Sequence, residues 1–135
     1  MSTYVDTSAF VAYLIEEDVN HPAARRMWTQ MAERRERLVT SNYVIVETCA
    51  LLHRRSGMDT VRTFVEDVLP VVLVQWVDVR LHAEGVSGLL MSSRRGPNIV
   101  DCVSFALMRK LSVREAFTFD PHFREQGFKT MPDAE

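Results

Sequence analysis

The chain has 135 residues, of which 47% are hydrophobic and 25% are charged, and its formal net charge is −2. These values fit one globular domain over residues 1–135, and they exclude both a disordered chain and a strongly basic nucleic-acid clamp. The longest apolar run covers only residues 68–74, whereas a membrane helix needs about 20 residues. We therefore expect a single domain with no membrane segment.

The first half of the chain alternates between strand and helix patterns. Short apolar stretches predict strands, and apolar residues that recur every three or four positions predict helices that begin at capping residues. In chain order we expect a strand at 2–5, a helix through Phe10 and Leu14, a helix from Asn20 with Pro22 in its first turn, a strand at 38–40, a helix from Ser41 or Asn42 to about Arg55, and a helix from Asp59 to Pro70.

The second half continues the same alternation. The run 71–77 is almost wholly apolar and β-branched, which predicts a parallel strand that is covered on both faces and a buried Trp76. There follow a helix from Asp78 that carries Val79, Ala83, Val86 and Leu90, a loop at 92–97, a helix from Asn98 to about Lys110, and strands at 116–119 and 128–131. The alternation predicts a three-layer α/β/α domain around a mainly parallel sheet of four or five strands.

The two cysteines, Cys49 and Cys102, both fall inside apolar segments. They are too few for a disulfide framework and are expected to be buried free thiols, which is typical of a reducing compartment. The first five residues also lack the basic segment of a signal peptide. The sequence therefore predicts a cytoplasmic protein.

Four carboxylates each stand alone in an otherwise uncharged segment. They are Asp6 within 1–15, Glu47 within 38–52, Asp101 within 96–108 and Asp120 within 116–123. A buried ionised carboxylate without a partner costs several kcal/mol, and none of these segments contains a lysine or arginine.

Two of the four acids, Asp6 and Asp120, directly follow predicted strands. Ligands of parallel α/β sheets bind at the carboxyl ends of the strands, so these acids are expected at a binding edge. If all four carboxylates meet there, a divalent cation would relieve their repulsion. An all-oxygen ligand set favours Mg²⁺ or Mn²⁺ over Zn²⁺.

Three of the acids also have a purely structural explanation. Asp6 and Asp120 could each cap the helix that follows, and Asp101 could form a capping box with Asn98. Glu47 lies in the middle of its helix, where no capping role is available.

The segments around the four acids carry a further signal. They read, in chain order, Val5-Asp6-Thr7-Ser8-Ala9-Phe10, Asn42-Tyr43-Val44-Ile45-Val46-Glu47-Thr48, Ile99-Val100-Asp101-Cys102-Val103-Ser104-Phe105-Ala106 and Phe117-Thr118-Phe119-Asp120-Pro121-His122-Phe123. Together they resemble the PIN-domain ribonucleases, and the length of the chain is similar to that of the VapC-type toxins of prokaryotic toxin–antitoxin pairs. One departure is Val100, because the family often has Ser or Thr directly before the third acid.

The resemblance implies a Mg²⁺- or Mn²⁺-dependent endoribonuclease that hydrolyses RNA phosphodiester bonds. It also implies a homodimer and an antitoxin protein as partner. Asp6 and Asp101 would be direct metal ligands, and Glu47 and Asp120 would complete the catalytic site. Ser8 would correspond to the family's hydroxyl near the first acid.

Two arginines precede the third acid. Arg94 and Arg95 lie in the predicted loop before Asp101 and could steer the RNA backbone, although a solvated loop would have the same composition.

Two other functions remain compatible with the sequence. A Mg²⁺-dependent phosphatase-like phosphotransfer domain would also place an acid after its first strand, but Ser8 stands where such a site has its second acid. A non-catalytic RNA- or protein-binding module would keep the four acids only as caps. Metal dependence of RNA cleavage would separate the three functions.

Overall fold

The computed structural model describes residues 1–93 and 95–133, and these residues alternate between strands and helices. The strands are β1 (Ser2–Val5), β2 (Arg37–Ser41), β3 (Leu73–Gln75), β4 (Glu115–Phe117) and β5 (Lys129–Met131). The helices are α1 (Thr7–Leu14), α2 (His21–Glu33), α3 (Asn42–Ser56), α4 (Met58–Thr63), α5 (Val79–Leu90), α6 (Ile99–Leu111) and α7 (Pro121–Glu125). A π-helical turn (Phe64–Val68) and a 3₁₀ turn (Leu69–Val71) connect α4 to β3. None of the described helices combines the length and apolar character that a membrane span requires.

The strands of the described residues form one parallel sheet in the order β3-β2-β1-β4-β5. Helices flank this sheet, so the predicted α/β class is confirmed. The sheet, predicted as mainly parallel with four or five strands, has five parallel strands among the described residues. The chain builds β2 and β3 on one side of β1 and then crosses to place β4 and β5 on the other side. The carboxyl end of β1 is therefore the point where the strand order reverses, which is where parallel α/β sheets bind ligands.

The core is centred on β1, and Tyr4 is completely buried. Its hydroxyl donates to Ser41 Oγ at 3.2 Å and lies 2.8 Å from Ser104 Oγ. This links β1 to the end of β2 and to α6, so three elements that border the carboxyl edge are held in register. Phe10 of α1 packs edge-on against Phe64, with 5.0 Å between the ring centroids.

The strand predicted at 71–77 is wrong in its extent and its burial. Only Leu73–Gln75 pair as β3, and this strand lies at the edge of the sheet with β2 as its neighbour. Leu73 is 48% exposed and Trp76 is 75% exposed. An apolar β-branched run looks the same at an edge as in the interior, because the difference depends on which strands pair.

The buried face of α5 is not the one that carries its predicted apolar residues Val79 and Leu90. Val79 and Leu90 are 87% and 79% exposed, whereas Leu81 and Gly85 are buried. Gly85 packs so closely on α6 that a Cβ atom there would lie 2.3 Å from Val103 Cγ2. This contact, which needs a glycine, sets the rotation of α5.

The helix predicted from Asp59 to Pro70 begins at Met58, and α4 ends at Thr63, where the π-helical and 3₁₀ turns follow. Gly57 precedes the first residue of α4, and Asp59 lies exposed within the first turn.

Cys49 and Cys102 are free thiols. Cys102 is buried and Cys49 is half-buried, and burial raises the pKa of both.

Candidate active site

Asp6 is the residue at which β1 ends and α1 begins. Its Oδ2 atom accepts hydrogen bonds from Ser8 Oγ at 2.8 Å and from Thr118 Oγ1 at 2.9 Å, and it caps α1 through the backbone N–H of Ser8. Its Oδ1 atom is buried and has no hydrogen-bond partner among the described residues. A buried carboxylate oxygen normally has a partner. The free oxygen of Asp6 is therefore available to a cation.

Asp101 lies in the first turn of α6, where it forms a capping box with Asn98. Its Oδ2 atom accepts the backbone N–H of Asn98 at 3.0 Å, and Asn98 Oδ1 accepts the backbone N–H of Asp101 at 2.9 Å. The cap therefore uses one carboxylate oxygen of Asp101 and leaves Oδ1 outside it. Capping and ligation are compatible at this residue.

Glu47 reaches the same region from the middle of α3, and its side chain is half-buried. Glu47 Oε2 accepts a hydrogen bond from Asn98 Nδ2 at 3.3 Å. Asn98 therefore contacts both Glu47 and Asp101, and it fixes the distance between α3 and the start of α6.

Asp120 begins α7 after β4. Its Oδ1 atom accepts the backbone N–H of His122 at 2.9 Å, so it is a helix cap as well. The Nδ1 atom of His122 lies 2.8 Å from the same oxygen, although the two groups are not aligned as a hydrogen bond. Ligand atoms of Asp101, Asp120 and His122 all lie within 4.8 Å of one another.

The four acids line one cleft of about 460 Å³ at the carboxyl edge of the sheet, which we call the acidic cleft. Two larger clefts of about 600 Å³, on α2 and between α5 and α6, each have a single carboxylate among their described lining residues. The acidic cleft is thus distinguished by its chemistry rather than its size. Its other lining residues are Thr7, Ser8, Val11, Asp18, Asn20, Leu51, Arg55, Asn98, Phe119 and Pro121.

The environment of the cleft disfavours full ionisation of its acids. Burial raises the pKa of Asp6 to about 6, although the hydrogen bonds from Ser8 and Thr118 oppose this rise. Burial and then the charge of Asp6 raise the pKa of Asp101 to about 7. A divalent cation would favour the ionised form of both carboxylates. The oxygen donor set fits Mg²⁺ or Mn²⁺, with Asp6, Glu47, Asp101 and Asp120 as the residues that could hold it.

Ser8 is a structural partner of the first acid. Its hydroxyl donates to Asp6 and accepts the backbone N–H of Phe119 at 2.9 Å, which ties α1 to the end of β4. Of the two arginines predicted to steer RNA, Arg94 lies outside the described residues. Arg95 is exposed and is not among the residues that line the acidic cleft.

Three residues of the site were not predicted from the sequence. Thr118 donates to Asp6 and accepts the backbone N–H of Asp120, so it connects two of the acids. Arg55 is the one cation among the described residues that line the acidic cleft, and it lies 3.7 Å from Asp18. It follows Glu47 by two helical turns, a spacing that could have indicated the shared face. His122 could have been noticed from its position two residues after Asp120.

Comparison with known protein families identifies the family of this chain. Residues 3–129 match the model of the PIN domain. The chain belongs to the PIN-domain family. It is 35% identical over 126 residues to the protein named 23S rRNA-specific endonuclease VapC20 from Mycobacterium tuberculosis, covering 93% of this chain and 94% of that one. It is 22% identical over 128 residues to the VapC ribonuclease of Aquifex aeolicus, covering 94% of this chain and 93% of the relative.

Solved structures agree with this assignment. The crystal structure of M. tuberculosis VapC20, described as a sarcin-ricin loop cleaving toxin, superimposes with a TM-score of 0.85 and covers 94% of this chain and 96% of the other at 35% identity. The crystal structure of FitAcB from Neisseria gonorrhoeae has a TM-score of 0.70 at 11% identity and covers 95% of each chain. The second likeness concerns the fold alone.

Proposed function

We propose that this chain is a metal-dependent endoribonuclease and the toxin of a toxin–antitoxin pair, with Asp6, Glu47, Asp101 and Asp120 as its catalytic carboxylates. The observation that carries this proposal is the acidic cleft, in which carboxylates from four separate elements meet at the reversal point of a parallel sheet. Membership of the PIN family and the ribonuclease names of the relatives support the same reaction.

The side chains of the cleft have separable roles in this reaction. A bound Mg²⁺ or Mn²⁺ would supply Lewis-acid activation of the phosphodiester and of the attacking water. Asp6 and Asp101 would hold the cation through the oxygens that their caps leave free, while Ser8 and Thr118 keep Asp6 in place. One carboxylate oxygen of Glu47 accepts a hydrogen bond from Asn98. Its other oxygen is therefore able to accept the proton of the attacking water.

The phosphatase-like alternative has less support. Ser8, which stands at the position of the second acid of such a site, donates a hydrogen bond from its hydroxyl to Asp6. None of the described residues that line the acidic cleft is a lysine. A non-catalytic module would also leave the buried, unpartnered oxygen of Asp6 unexplained.

Metal-dependent RNA cleavage is the expected result that tests the proposed function. The purified chain should cut RNA in millimolar Mg²⁺ or Mn²⁺ and should not cut it in EDTA, because the acids cannot activate a phosphodiester alone. Total RNA that includes 23S rRNA is the appropriate first substrate, given the name of the M. tuberculosis relative. Hydrolysis of p-nitrophenyl phosphate without RNA cleavage would favour a phosphatase-like enzyme. The absence of both activities would contradict the proposal.

The proposed homodimer is supported by exposed apolar residues next to the start of α3. Val46, Trp76 and Val79 are 69%, 75% and 87% exposed, and we call them the apolar patch. Tyr43 of α3 contacts His82 of α5, and Val46 and Val79 lie three residues from these contacts on the same two helices. Exposed apolar groups that cluster in this way are typical of protein–protein interfaces.

Trp76→Glu is expected to convert the dimer into a monomer, because a charge in the apolar patch would lose its water on association. Light scattering after size-exclusion chromatography should give about 15.5 kDa for the variant and twice that for the parent chain. Leu90→Glu is the matched control, since Leu90 is 79% exposed at the other end of α5. A monomeric parent chain would contradict the dimer.

The proposed antitoxin would bind through an amphipathic helix and place a basic residue near Asp6 and Asp101. Such a cation would neutralise the same carboxylates as the metal, so inhibition should be relieved by excess Mg²⁺. Co-expression with the neighbouring reading frame and purification by a tag on this chain would test the partner.

The proposed site of action is the cytoplasm, which fits the two free thiols.

A further inference from the structure

A second cleft adjoins the acidic cleft and differs from it in charge. It has a volume of about 390 Å³, and we call it the arginine cleft because Arg26 of α2 and Arg124 of α7 line it. The two clefts are direct neighbours, because they share the lining residues Asn20, Phe119, Asp120 and Pro121. One groove therefore runs from the catalytic carboxylates to two arginines.

The two arginines are available to an external ligand. Arg26 and Arg124 are exposed, and neither forms an ion pair with a residue that the structure describes. The carboxylates that face the arginine cleft are Asp120, which it shares with the acidic cleft, and Asp133. In contrast, the acidic cleft has five carboxylates against the single guanidinium of Arg55. With two guanidinium groups against two carboxylates among its described lining residues, the arginine cleft is therefore the part of the groove that repels an anion least and offers it unpaired arginines.

Asn20 stands at the junction of the two clefts. It precedes the first residue of α2, but its side chain makes no capping hydrogen bond. Its backbone N–H donates to Asp18 Oδ1 at 2.8 Å, which holds the turn in place. The side-chain amide, which no capping bond uses, can therefore contact a phosphate or a base edge.

We propose that the arginine cleft binds the RNA strand next to the phosphodiester that is cut, with Arg26 and Arg124 on phosphates and Asn20 at the junction. This inference rests on the proposed ribonuclease function. An RNA strand must enter a cleft whose carboxylates repel it, and contacts remote from the cut bond can supply the binding energy for this. Arginine suits the task because its planar fork matches the oxygens of a phosphate.

An acidic segment of a protein is the other ligand that two arginines could bind. RNA is favoured because Phe119 and Asp120 line both the arginine cleft and the acidic cleft, so a ligand of one lies directly beside the other. A strand that is cut at one part of this groove has to pass along the rest of it.

The test compares two double variants that remove the same charge. Arg26→Gln with Arg124→Gln changes the arginine cleft. Arg25→Gln with Arg114→Gln is the control, because Arg25 is the neighbouring residue of α2 and Arg114 precedes β4 at the opposite edge of the sheet. Neither control residue lines the groove. Both pairs are built on Glu47→Gln, so that RNA is expected to remain uncut during the measurement.

Binding of a fluorescein-labelled single-stranded RNA is followed by anisotropy at several salt concentrations. Each lost phosphate contact should lower the slope of log affinity against log salt by about 0.7. The cleft variant should therefore lose about 1.4 from this slope, and the control variant should keep the slope of its parent. With Glu47 restored, the cleft variant should raise KM for RNA about tenfold with little change in kcat.

Equal slopes for the two double variants would overturn the inference. Unchanged RNA binding together with lost capture of a co-expressed protein would also overturn it, in favour of a protein ligand. If the expected slope change appears but the parent chain cuts no RNA, RNA binding by the arginine cleft is supported and the nuclease proposal is contradicted. If the parent cuts RNA and the cleft variant matches the control, the nuclease proposal is supported and RNA binding by the arginine cleft is contradicted.

Discussion

Asp101→Asn protein is expected to lose RNA cleavage by about 10²- to 10⁴-fold while it remains folded. The change removes the charge that would hold the cation, yet an asparagine oxygen at this position can still accept the backbone N–H of Asn98 and keep the capping box. The same result is expected for Asp6→Asn, whose Oδ2 partners Ser8 and Thr118 can donate to an amide oxygen. Cleavage of RNA in Mn²⁺, with circular dichroism of each variant, measures both properties.

Glu47 is the most informative of the four acids, because it has no capping role. Glu47→Gln preserves the size of the side chain and can keep the contact with Asn98, so a loss of activity would reflect the missing charge. Asp59→Asn is the matched control, since Asp59 is exposed on α4 and is not among the residues that line the acidic cleft. Full activity of Glu47→Gln would remove this residue from the proposed site.

The second large effect concerns stability without metal, which is expected to increase as the pH falls from about 7 to 4. The pKa values of Asp6 and Asp101 are raised by burial from an ordinary value near 3.8 to about 6 and about 7. The folded state therefore binds protons that the unfolded state has already released, and lowering the pH favours folding within this window. For Asp6 the shift corresponds to about 3 kcal/mol, at 1.36 kcal/mol per pKa unit.

Asp101→Asn should raise the melting temperature of the metal-free protein near pH 7 and flatten this pH dependence, because the buried charge is gone. Millimolar Mg²⁺ should stabilise the parent protein, since a ligand of the folded state shifts the equilibrium by mass action, and it should do so less for the variant. Melting curves from pH 4 to 7, with EDTA and with Mg²⁺, test these statements.

Asp78 offers a control of opposite sign for this experiment. It caps α5, and the hydrogen bond from the backbone of Leu81 lowers the pKa of its exposed carboxyl. Asp78→Asn should therefore destabilise the protein at neutral pH, and the effect should diminish as the pH falls through the lowered pKa. A metal-free melting temperature that is the same in the parent and Asp101→Asn proteins at every pH would contradict the electrostatics of the acidic cleft.

Local signals in the sequence determined most of the secondary structure and the identity of the acids. Ser41 and Asn98 are caps where the sequence predicts them, and α3 ends before Gly57. The four isolated acids were visible because a charge inside a buried, uncharged segment needs a special environment, and this depends only on nearby residues. The structure brings all four into one cleft, and their catalytic roles stay predictions until the variants are measured.

Only the tertiary structure decided which surfaces are covered and which side chains meet at the cleft. The apolar run of β3 is at an edge because β2 is its neighbour and no strand of the described residues pairs on its other side. The rotation of α5 depends on the contact of Gly85 with Val103, which are far apart in sequence. Arg55, Thr118 and the two arginines of the adjoining cleft reach the groove from different elements. Local patterns do not contain this information, because strand order and helix packing depend on contacts between residues that are distant along the chain.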